Sequence, residues 1–381
     1  MKVEILLARD GGECRGAVLT DGVLTDYRAQ HAAAPSRAGG VYRARVKKIV
    51  PGLAGAVVEI PGAEAWLDLA RTRGARPREG AIVTIQIVQD AQGGKLARAA
   101  PDPMLAGRFL AFQPHAAKPA LSHRIADNDA RARLGALLGK LGKDGAFLAL
   151  HAAPAAGDAA LAAEAERLRA AWARAAPALG ANRPAEAIAP ADPALDLLRL
   201  FVGPAAMRIA ADGEPLAASA RAWLAEHAPE WNGAVDREPV GRTTLESEIV
   251  QAELAAALER DVPLPGGGAL TMEGAGGMTV VDVDTEGAAA ASAKATFAAV
   301  NRAAAREIAR QIRLRNLGGR IVADFAGLGE ARALPAALGI LRAGVAADPM
   351  AVQIAAPSEF GLVEIMRRRE RPTLAEMLGR D

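Results

Sequence analysis

Three aspartates in the last third of the chain have the spacing of a metal-binding catalytic site. Asp282 and Asp284 close the apolar run MTVVDVD, and Asp324 closes a second apolar run, GRIVAD. Carboxylates and phosphate oxygens are the hard ligands that Mg²⁺ takes. An aspartate at the end of a buried strand is also often only a helix cap or a solvated loop residue. Acids at matching ends of two neighbouring runs favour the metal site over this simpler interpretation.

The residues between these acids predict a strand–helix–strand unit that brings the acids together. A helix is expected from about Ser292 to Leu317, capped by Gly318 and Gly319. Its apolar face would consist of Phe297, Val300, Ala304, Ile308 and Ile312. Two strands joined by one helix are usually parallel neighbours with a right-handed crossover. Asp282 and Asp324 should therefore lie at the carboxyl edge of one sheet, with Asp284 on the same face as Asp282.

The first hundred residues predict short antiparallel strands. Lys2 to Ala8 and Glu13 to Leu19 form an opening meander. Five short strands with tight turns follow, including VYRARVKKIV, AGAVVEI and AWLDL and ending with AIVTIQIVQD. This pattern predicts a small barrel of the OB type.

Basic residues cluster in two places that are candidates for contact with a nucleic acid. Arg43, Arg45 and Lys47 alternate along one predicted strand, and Arg367 and Arg369 lie in a basic run near the end of the chain. Both clusters are also typical of solvated surfaces. On a predicted OB-type barrel, contact with a nucleic acid and simple exposure to solvent are comparable interpretations of the first cluster.

The middle of the chain is rich in helix signals. Amphipathic helices are expected over Asp158 to Ala175 and Ser247 to Arg260, and a strand followed by a helix over Ala206 to Ala225. Residues Ala176 to Asp192 carry many Ala, Pro and Gly and are interpreted as a loop or linker.

Composition limits the class of protein. A chain of 381 residues predicts several domains, and the net charge of +2 means that any RNA-binding charge must be clustered. The single cysteine, Cys14, excludes an internal disulfide and a CxxC zinc site. No long apolar run or signal peptide is recognised, so we expect a cytoplasmic protein without a membrane partner.

Several segments resemble one known family. GGMTVVDVDTEG, REIARQIRLRNLGGRIVADF and SEFGLVEIMRRRERPTL are similar to three successive signature segments of the ribonuclease E/G catalytic region. Weaker similarity is carried by ECRGAVLTDG, GGVYRARVKKIVPGLAGAVVEI and LERDVPLPGGGAL. The resemblance implies an α+β fold with several subdomains. Residues 1–35 and 190–261 would form an RNase-H-like subdomain, 36–100 an OB-type barrel, 101–189 a 5′-sensor-like region, and 262–381 a DNase-I-like α/β catalytic subdomain.

The resemblance also implies an activity. It indicates an Mg²⁺-dependent endoribonuclease that hydrolyses single-stranded RNA, in RNA processing or decay, and leaves 5′-phosphate and 3′-hydroxyl ends. Asp282 and Asp324 match the two aspartates that hold Mg²⁺ in the family. Asp284 stands where the family has an asparagine that orients the attacking water, so it is interpreted as a third ligand, a base or a residue that slows the reaction.

Further expectations rest on matched RNA-contacting positions. Trp66 matches an aromatic residue that stacks on a base, with a core or surface tryptophan as the alternative, and Lys95 matches a lysine that faces RNA. Val57 and Gln89 replace a second aromatic residue and a second lysine, which predicts weaker binding. The segment Ala146 to Pro154 matches a 5′-phosphate pocket but lacks its arginine and threonine, leaving His151, unless Arg124 supplies the charge.

Two other functional classes remain open at this stage. One is a catalytically weak or inactive RNA-binding protein on the same scaffold, and the other is an Mg²⁺-dependent phosphohydrolase of small molecules. The family's cysteine zinc-link has no counterpart after Cys14. We therefore expect no structural zinc, and a monomer or a weak dimer.

Overall fold

The computed structural model describes residues 2–10, 12–31, 35–71, 76–92, 94–203, 206–275, 277–290, 292–327 and 334–379. In these ranges the strands are β1 (Lys2–Asp10), β2 (Glu13–Thr20), β3 (Val23–His31), β4 (Val41–Val50), β5 (Gly55–Ile60), β6 (Ala63–Asp68), β7 (Ile82–Gln89), β8 (Ala97–Ala100), β9 (Leu105–Ala106), β10 (Leu110–Gln113), β11 (Ala120–Leu121), β12 (Ala146–Ala149), β13 (Ala185–Ile188), β14 (Ala206–Asp212), β15 (Val235–Glu238), β16 (Asp261–Pro263), β17 (Ala269–Ala275), β18 (Met278–Asp284), β19 (Gly319–Asp324), β20 (Val352–Ile354) and β21 (Val363–Arg367). The α-helices are α1 (Asn128–Leu141), α2 (Asp158–Arg174), α3 (Ala176–Leu179), α4 (Pro193–Phe201), α5 (Gly213–His227), α6 (Glu248–Ala256), α7 (Ala293–Leu314), α8 (Leu334–Ala346) and α9 (Leu374–Met377).

These elements form two compact units. The first comprises Met1–Ala34, Phe201–Ala222 and Glu230–Asp381, and the second comprises Pro35–Leu200 and Trp223–Pro229. Helices and mixed sheets occur in both, as expected for an α+β protein. A helix long and apolar enough to cross a membrane is not found in the described ranges.

One sheet of the first unit has the strand order β15-β14-β1-β2-β3. The antiparallel meander predicted from the opening residues is confirmed, and β14 adds to it in parallel with β1. The predicted strand and helix after residue 206 are also present, as β14 and α5. The core below the sheet contains Leu6, Leu24 and Leu254, so α6 covers one of its faces.

The second sheet of this unit carries the candidate catalytic acids. Its strand order is β16-β17-β18-β19-β21-β20, with β18 and β19 parallel. Side chains alternate along β18, so that Val281 and Val283 are buried in the same apolar core as Ile308 of α7 and Leu341 of α8. The intervening acids of β18 face the opposite side of the sheet.

The helix α7 joins β18 to β19, as the sequence predicts. It begins after Ser292, whose hydroxyl accepts a hydrogen bond from the Ala295 N–H. Its C-terminal end differs from the prediction, because Asn316, at φ 48°, adopts the left-handed conformation assigned to Gly318 and Gly319. The Leu317 N–H donates to the Ile312 carbonyl and the Asn316 N–H to the Arg313 carbonyl, which is a Schellman cap. Asparagine tolerates this conformation better than most residues with a side chain.

The second unit contains a closed five-stranded barrel. Its strands follow the order β4-β5-β6-β8-β7, and β7 returns to pair with β4. The strand β8 follows the last strand that the sequence predicts. It was not predicted because its sequence, ARAA, has no β-branched or aromatic residue. The interpretation of Ala176 to Asp192 as a loop is wrong, because α3 and β13 lie there and β13 pairs with β4.

A four-stranded sheet, β11-β12-β10-β9, follows the barrel in the same unit. Its core includes Phe112 and Phe147, packed with Leu134 of α1 and Leu161 of α2. The amphipathic helix predicted from Asp158 is confirmed as α2. The segment Ala146 to Pro154, which matches a 5′-phosphate pocket, comprises β12 and the first residues after it.

Candidate active site and nucleic-acid interface

Asp282 and Asp324 are direct partners on the neighbouring parallel strands β18 and β19. Adjacent strands lie about 4.8 Å apart, and partners in register point to the same face. Asp282 is exposed and Asp324 is half-buried. The structure therefore brings together the two acids at the carboxyl edge, as the strand–helix–strand pattern predicts.

The two carboxylates influence each other. Burial raises the pKa of Asp324 above its ordinary value, and the negative charge of Asp282 raises this pKa further. Within the part of the chain that the structure describes, no three His, Cys, Asp or Glu side chains are grouped to hold a metal ion. Mg²⁺ fits a site of this kind, because it is commonly bound by one or two carboxylates, retained waters and substrate phosphates.

Asp284 has a local structural task. Its Oδ1 accepts a hydrogen bond from the Glu286 N–H at 2.9 Å, which is the geometry of an Asx turn. The loop that follows packs closely against a glycine segment: a Cβ added at Gly267 would lie 2.5 Å from the Gly287 carbonyl oxygen. The bond to Oδ1 gives Asp284 a part in shaping this loop, and its part in the reaction stays a prediction.

Asn301 of α7 is a site residue that sequence reasoning missed. Its side chain is buried, its Nδ2 donates to the Ala326 carbonyl at 2.9 Å, and its Oδ1 accepts from the Ala326 N–H at 3.1 Å. Ala326 lies two residues after Asp324. The only available sequence signal was a polar residue on the otherwise apolar face of the predicted helix.

Trp66 lies on the outside of the barrel. Its neighbours along β6, Ala65 and Leu67, are buried in the barrel core, and Trp66 points away from them. The indole rests on Gly55 of β5, where an added Cβ would lie only 1.9 Å from its Cζ2 atom. The interpretation of Trp66 as a core residue is therefore wrong, and the glycine provides the space in which the ring lies against the barrel.

A row of side chains crosses the barrel strands at Trp66. Val57 of β5 is its partner on one side and Arg98 of β8 its partner on the other. Gln89 of β7 is in turn the partner of Arg98. Arg98 is exposed. An exposed guanidinium beside a half-buried indole is suited to a phosphate next to a stacked base, although the sequence alone did not single out Arg98.

The other basic residues predicted to contact RNA differ in whether their side chains already have partners within the protein. Lys47 pairs with Glu64 at 2.6 Å, and Arg45 with Glu59 at 3.8 Å. Arg43 is half-buried and donates to Thr84 and to the Ala181 carbonyl. Lys95 is exposed in a turn closed by its N–H bond to the Gln92 carbonyl. Lys95 is thus better placed than Arg43 to contact a ligand.

The structure corrects the interpretation of Arg367 as an RNA-contacting residue. Its side chain is 3% exposed, and its Nε donates to Oδ2 of the fully buried Asp348 at 2.8 Å. Its Nη1 donates to Asn316 Oδ1 and the Leu317 carbonyl, both at 2.9 Å. Arg367 therefore ties β21 to the end of α7. Arg369 is half-buried. A Cβ added at Gly318 would lie 2.7 Å from the Cβ of Arg369, so the two residues are packed together.

The segment Ala146 to Pro154 shows how the nearby charges are used. Burial lowers the pKa of His151, and the positive charge of Arg124 lowers this pKa further. Arg124 follows β11, whose Leu121 is the partner of Ala149 on β12, and this pairing brings Arg124 near the loop. Arg133 donates to the Pro154 and Ala156 carbonyls and pairs with Asp158, so its guanidinium is occupied in holding the loop.

Comparison with known proteins agrees with the geometry. Residues 104–370 match the model of the ribonuclease E/G family. Ribonuclease G of Escherichia coli strain K12 is 28% identical over 404 aligned positions, which cover 99% of this chain and 82% of that protein. Ribonuclease G of Haemophilus influenzae is also 28% identical, over 99% of this chain and 81% of its own. Ribonuclease E of Nostoc is 29% identical over 90% of this chain and 52% of its own. The chain belongs to the ribonuclease E/G family.

Proposed function

We propose that this protein is an endoribonuclease that hydrolyses single-stranded RNA with Mg²⁺ held by Asp282 and Asp324, leaving 5′-phosphate and 3′-hydroxyl ends. The observation that carries the proposal is the register of these two acids as partners at the carboxyl edge of their sheet. When bound, Mg²⁺ would polarise the scissile phosphate and neutralise the charge that develops on it. The relatives named ribonuclease G and ribonuclease E support RNA as the substrate.

The chain's own residues would bind and orient the reactants. Asp282 and Asp324 supply the ligand oxygens, and Asn301 holds the main chain that follows Asp324. Trp66 offers a face for base stacking, with Arg98 and Lys95 as nearby cations of the barrel surface. Stacking is tolerant of sequence, because every base has a π-face.

One difference between this sequence and the family pattern favours a second candidate function. Asp284 occupies the position of the family's asparagine, and its Oδ1 is engaged with the Glu286 N–H. A carboxylate lacks the N–H donors of an amide. An RNA-binding protein that cleaves slowly or not at all is therefore the alternative.

One experiment separates these functions. An end-labelled single-stranded RNA is incubated with the protein in Mg²⁺ or in EDTA, alongside the Asp282→Asn and Asp324→Asn variants. Cleavage that needs Mg²⁺ and both acids, with products that ligate through a 5′-phosphate, supports the nuclease. Binding without cleavage supports the alternative. Hydrolysis of a small phosphodiester without RNA binding or cleavage would overturn both proposals.

A further inference from the structure

An exposed aromatic residue lies at the same edge of the sheet as the two acids. The strand β21 runs antiparallel to β19, with Val363 opposite Ala323. The chain that precedes Val363 therefore continues past the level of Asp324. The loop of residues 355–362, which joins β20 to β21, projects from this carboxyl edge, and Phe360 is at its tip.

The conformation of this loop is defined by hydrogen bonds. The Gly361 N–H donates to the Ser358 carbonyl at 2.9 Å, and the Ser358 N–H donates to the Leu362 carbonyl at 2.9 Å. The Ser358 hydroxyl also accepts from the Leu362 N–H at 3.1 Å. Gly361, at φ 81°, allows the chain to leave the turn in the left-handed region. Phe360 is thus presented by an ordered turn.

The side chain of Phe360 is 81% exposed. Single apolar residues on a surface are ordinary, and Ile249 on α6 is 69% exposed in the same unit. Phe360 differs from Ile249 in two respects, since it is aromatic and it lies at the edge that carries Asp282 and Asp324. A tight turn has no need of a phenylalanine at this position for its own stability.

The charges at this edge indicate which part of an RNA the ring would contact. Among the residues that the structure describes, the acidic side chains on β18, on β19, in the loop after β18 and in the loop of residues 355–362 are Asp282, Asp284, Glu286, Asp324 and Glu359. Phosphates are repelled by such a surface unless a cation lies between them. An uncharged base has no such penalty, and an aromatic ring offers it a face on which to stack.

We propose that Phe360 stacks on a nucleobase close to the scissile phosphate and so sets the position of the RNA strand at Asp282 and Asp324. The inference rests on the proposed function and adds a base-binding subsite to it. The ligand is the base of an unpaired nucleotide, because a base within a duplex has no free face to offer.

The test compares Phe360→Ala, Phe360→Trp and the matched control Ile249→Ala. The substrates are single-stranded RNAs with one cleavage site and a single abasic nucleotide placed at each position around it. Because the ring is exposed, all three variants should unfold at the wild-type temperature. Phe360→Ala should lower kcat/KM on intact RNA by about 5-fold to 100-fold. Phe360→Trp should restore it, and Ile249→Ala should leave it unchanged.

The abasic series distinguishes stacking from a general surface effect. At one position, removing the base should slow the wild-type enzyme as much as Phe360→Ala does, and the variant should lose nothing further there. Equal rates for Phe360→Ala and Ile249→Ala on intact RNA would overturn the inference, while cleavage by both would leave the nuclease function standing. If wild type cuts no RNA, the proposed function fails, and RNA affinity in EDTA decides the subsite: a loss confined to Phe360→Ala supports it, and unchanged affinity overturns it.

Discussion

Asn301 and Ala326 are joined by two hydrogen bonds in which the side-chain amide of Asn301 both donates to and accepts from the main chain. This pair fixes the exit of β19 beside Asp324. Asn301→Ala leaves both main-chain groups of Ala326 without that partner, at an expected loss of about 1–3 kcal/mol in unfolding free energy. If Asn301 positions Asp324, kcat should also fall and the Mg²⁺ concentration for half-maximal rate should rise.

The measurement combines denaturant unfolding with a magnesium titration of the cleavage rate. Arg302→Ala, at the next and exposed position of α7, is the control and should change neither quantity. A variant of Asn301 that is less stable but has the wild-type magnesium dependence would reduce the residue to a purely structural role.

Asp282→Asn and Asp324→Asn should each abolish most Mg²⁺-dependent cleavage. Losing a ligand carboxylate removes several kcal/mol of electrostatic stabilisation at the transition state, so we expect a fall in kcat of about 100-fold or more. RNA affinity in EDTA should remain, because the RNA contacts proposed for the barrel do not involve the metal. Without metal, neither variant should be less stable than wild type, since each removes one of two like charges. Wild-type cleavage by either variant would exclude the assigned metal site.

Trp66→Ala should weaken binding of single-stranded RNA by about 1–3 kcal/mol, as expected for one stacked base. Gly55→Ala should produce part of this loss with the tryptophan still present, because the new Cβ occupies the space of the indole. Fluorescence anisotropy with a labelled RNA would measure both affinities. Gly52→Ala is a matched control, since a Cβ there meets nothing within 4 Å.

Salt dependence would separate the contribution of Arg98 from that of Trp66. Arg98→Ala should reduce the slope of log affinity against log salt by about 1 if its guanidinium contacts one phosphate. Trp66→Ala should leave the slope unchanged. Loss of affinity without a change in slope for Arg98→Ala would argue against a phosphate contact.

The acid pair could be predicted from the sequence because it depends on local patterns. Apolar runs ending in acids, separated by a helix with an apolar face, determine both the strands and their parallel pairing. The partners of Trp66 depend on which barrel strands are neighbours, and β8 gives little sign of its presence. The contact between the Trp66 indole and Gly55 could not be predicted either, because it depends on the register of β5 and β6.

The basic residues near the end of the chain also could not be assigned from the sequence alone. Arg367 and Arg368 are adjacent arginines with the same apparent character in the sequence. In the structure Arg367 is buried against Asp348, whereas Arg368 is exposed and pairs with Glu370 at 3.0 Å. Strand alternation places neighbouring residues on opposite faces, and only the tertiary fold supplies the buried aspartate.

Arg367 should accordingly matter for stability more than for RNA binding. Asp348→Asn removes the charged partner of a buried guanidinium, which typically lowers the unfolding free energy by about 3–5 kcal/mol. Arg368→Ala breaks an exposed pair and should change it by less than about 1 kcal/mol. Chemical denaturation would measure both. Wild-type stability of the Asp348→Asn variant would contradict the structural role assigned to Arg367.

The enzyme should show no preference for RNA with a 5′-monophosphate. Preference of this kind requires a cation that holds the terminal phosphate, and the segment Ala146 to Pro154 contains no arginine. His151 is a poor substitute, because burial and Arg124 lower its pKa below the ordinary 6.5. Its neutral form is therefore favoured in the folded protein, and its charged form appears only as the pH falls below that lowered value. The same lack of preference should persist at pH 6.5.

Matched RNAs with 5′-monophosphate, 5′-triphosphate and 5′-hydroxyl ends would be cleaved side by side at pH 6.5 and 7.5. Equal rates at both values are expected. A tenfold advantage for the monophosphate, about 1.4 kcal/mol, would show that a phosphate pocket survives. The neighbouring Arg124 is then the candidate cation, and Arg124→Ala would identify it by removing the advantage while leaving cleavage of the 5′-hydroxyl RNA unchanged. His151→Ala would do the same only at the lower pH if the imidazolium were responsible.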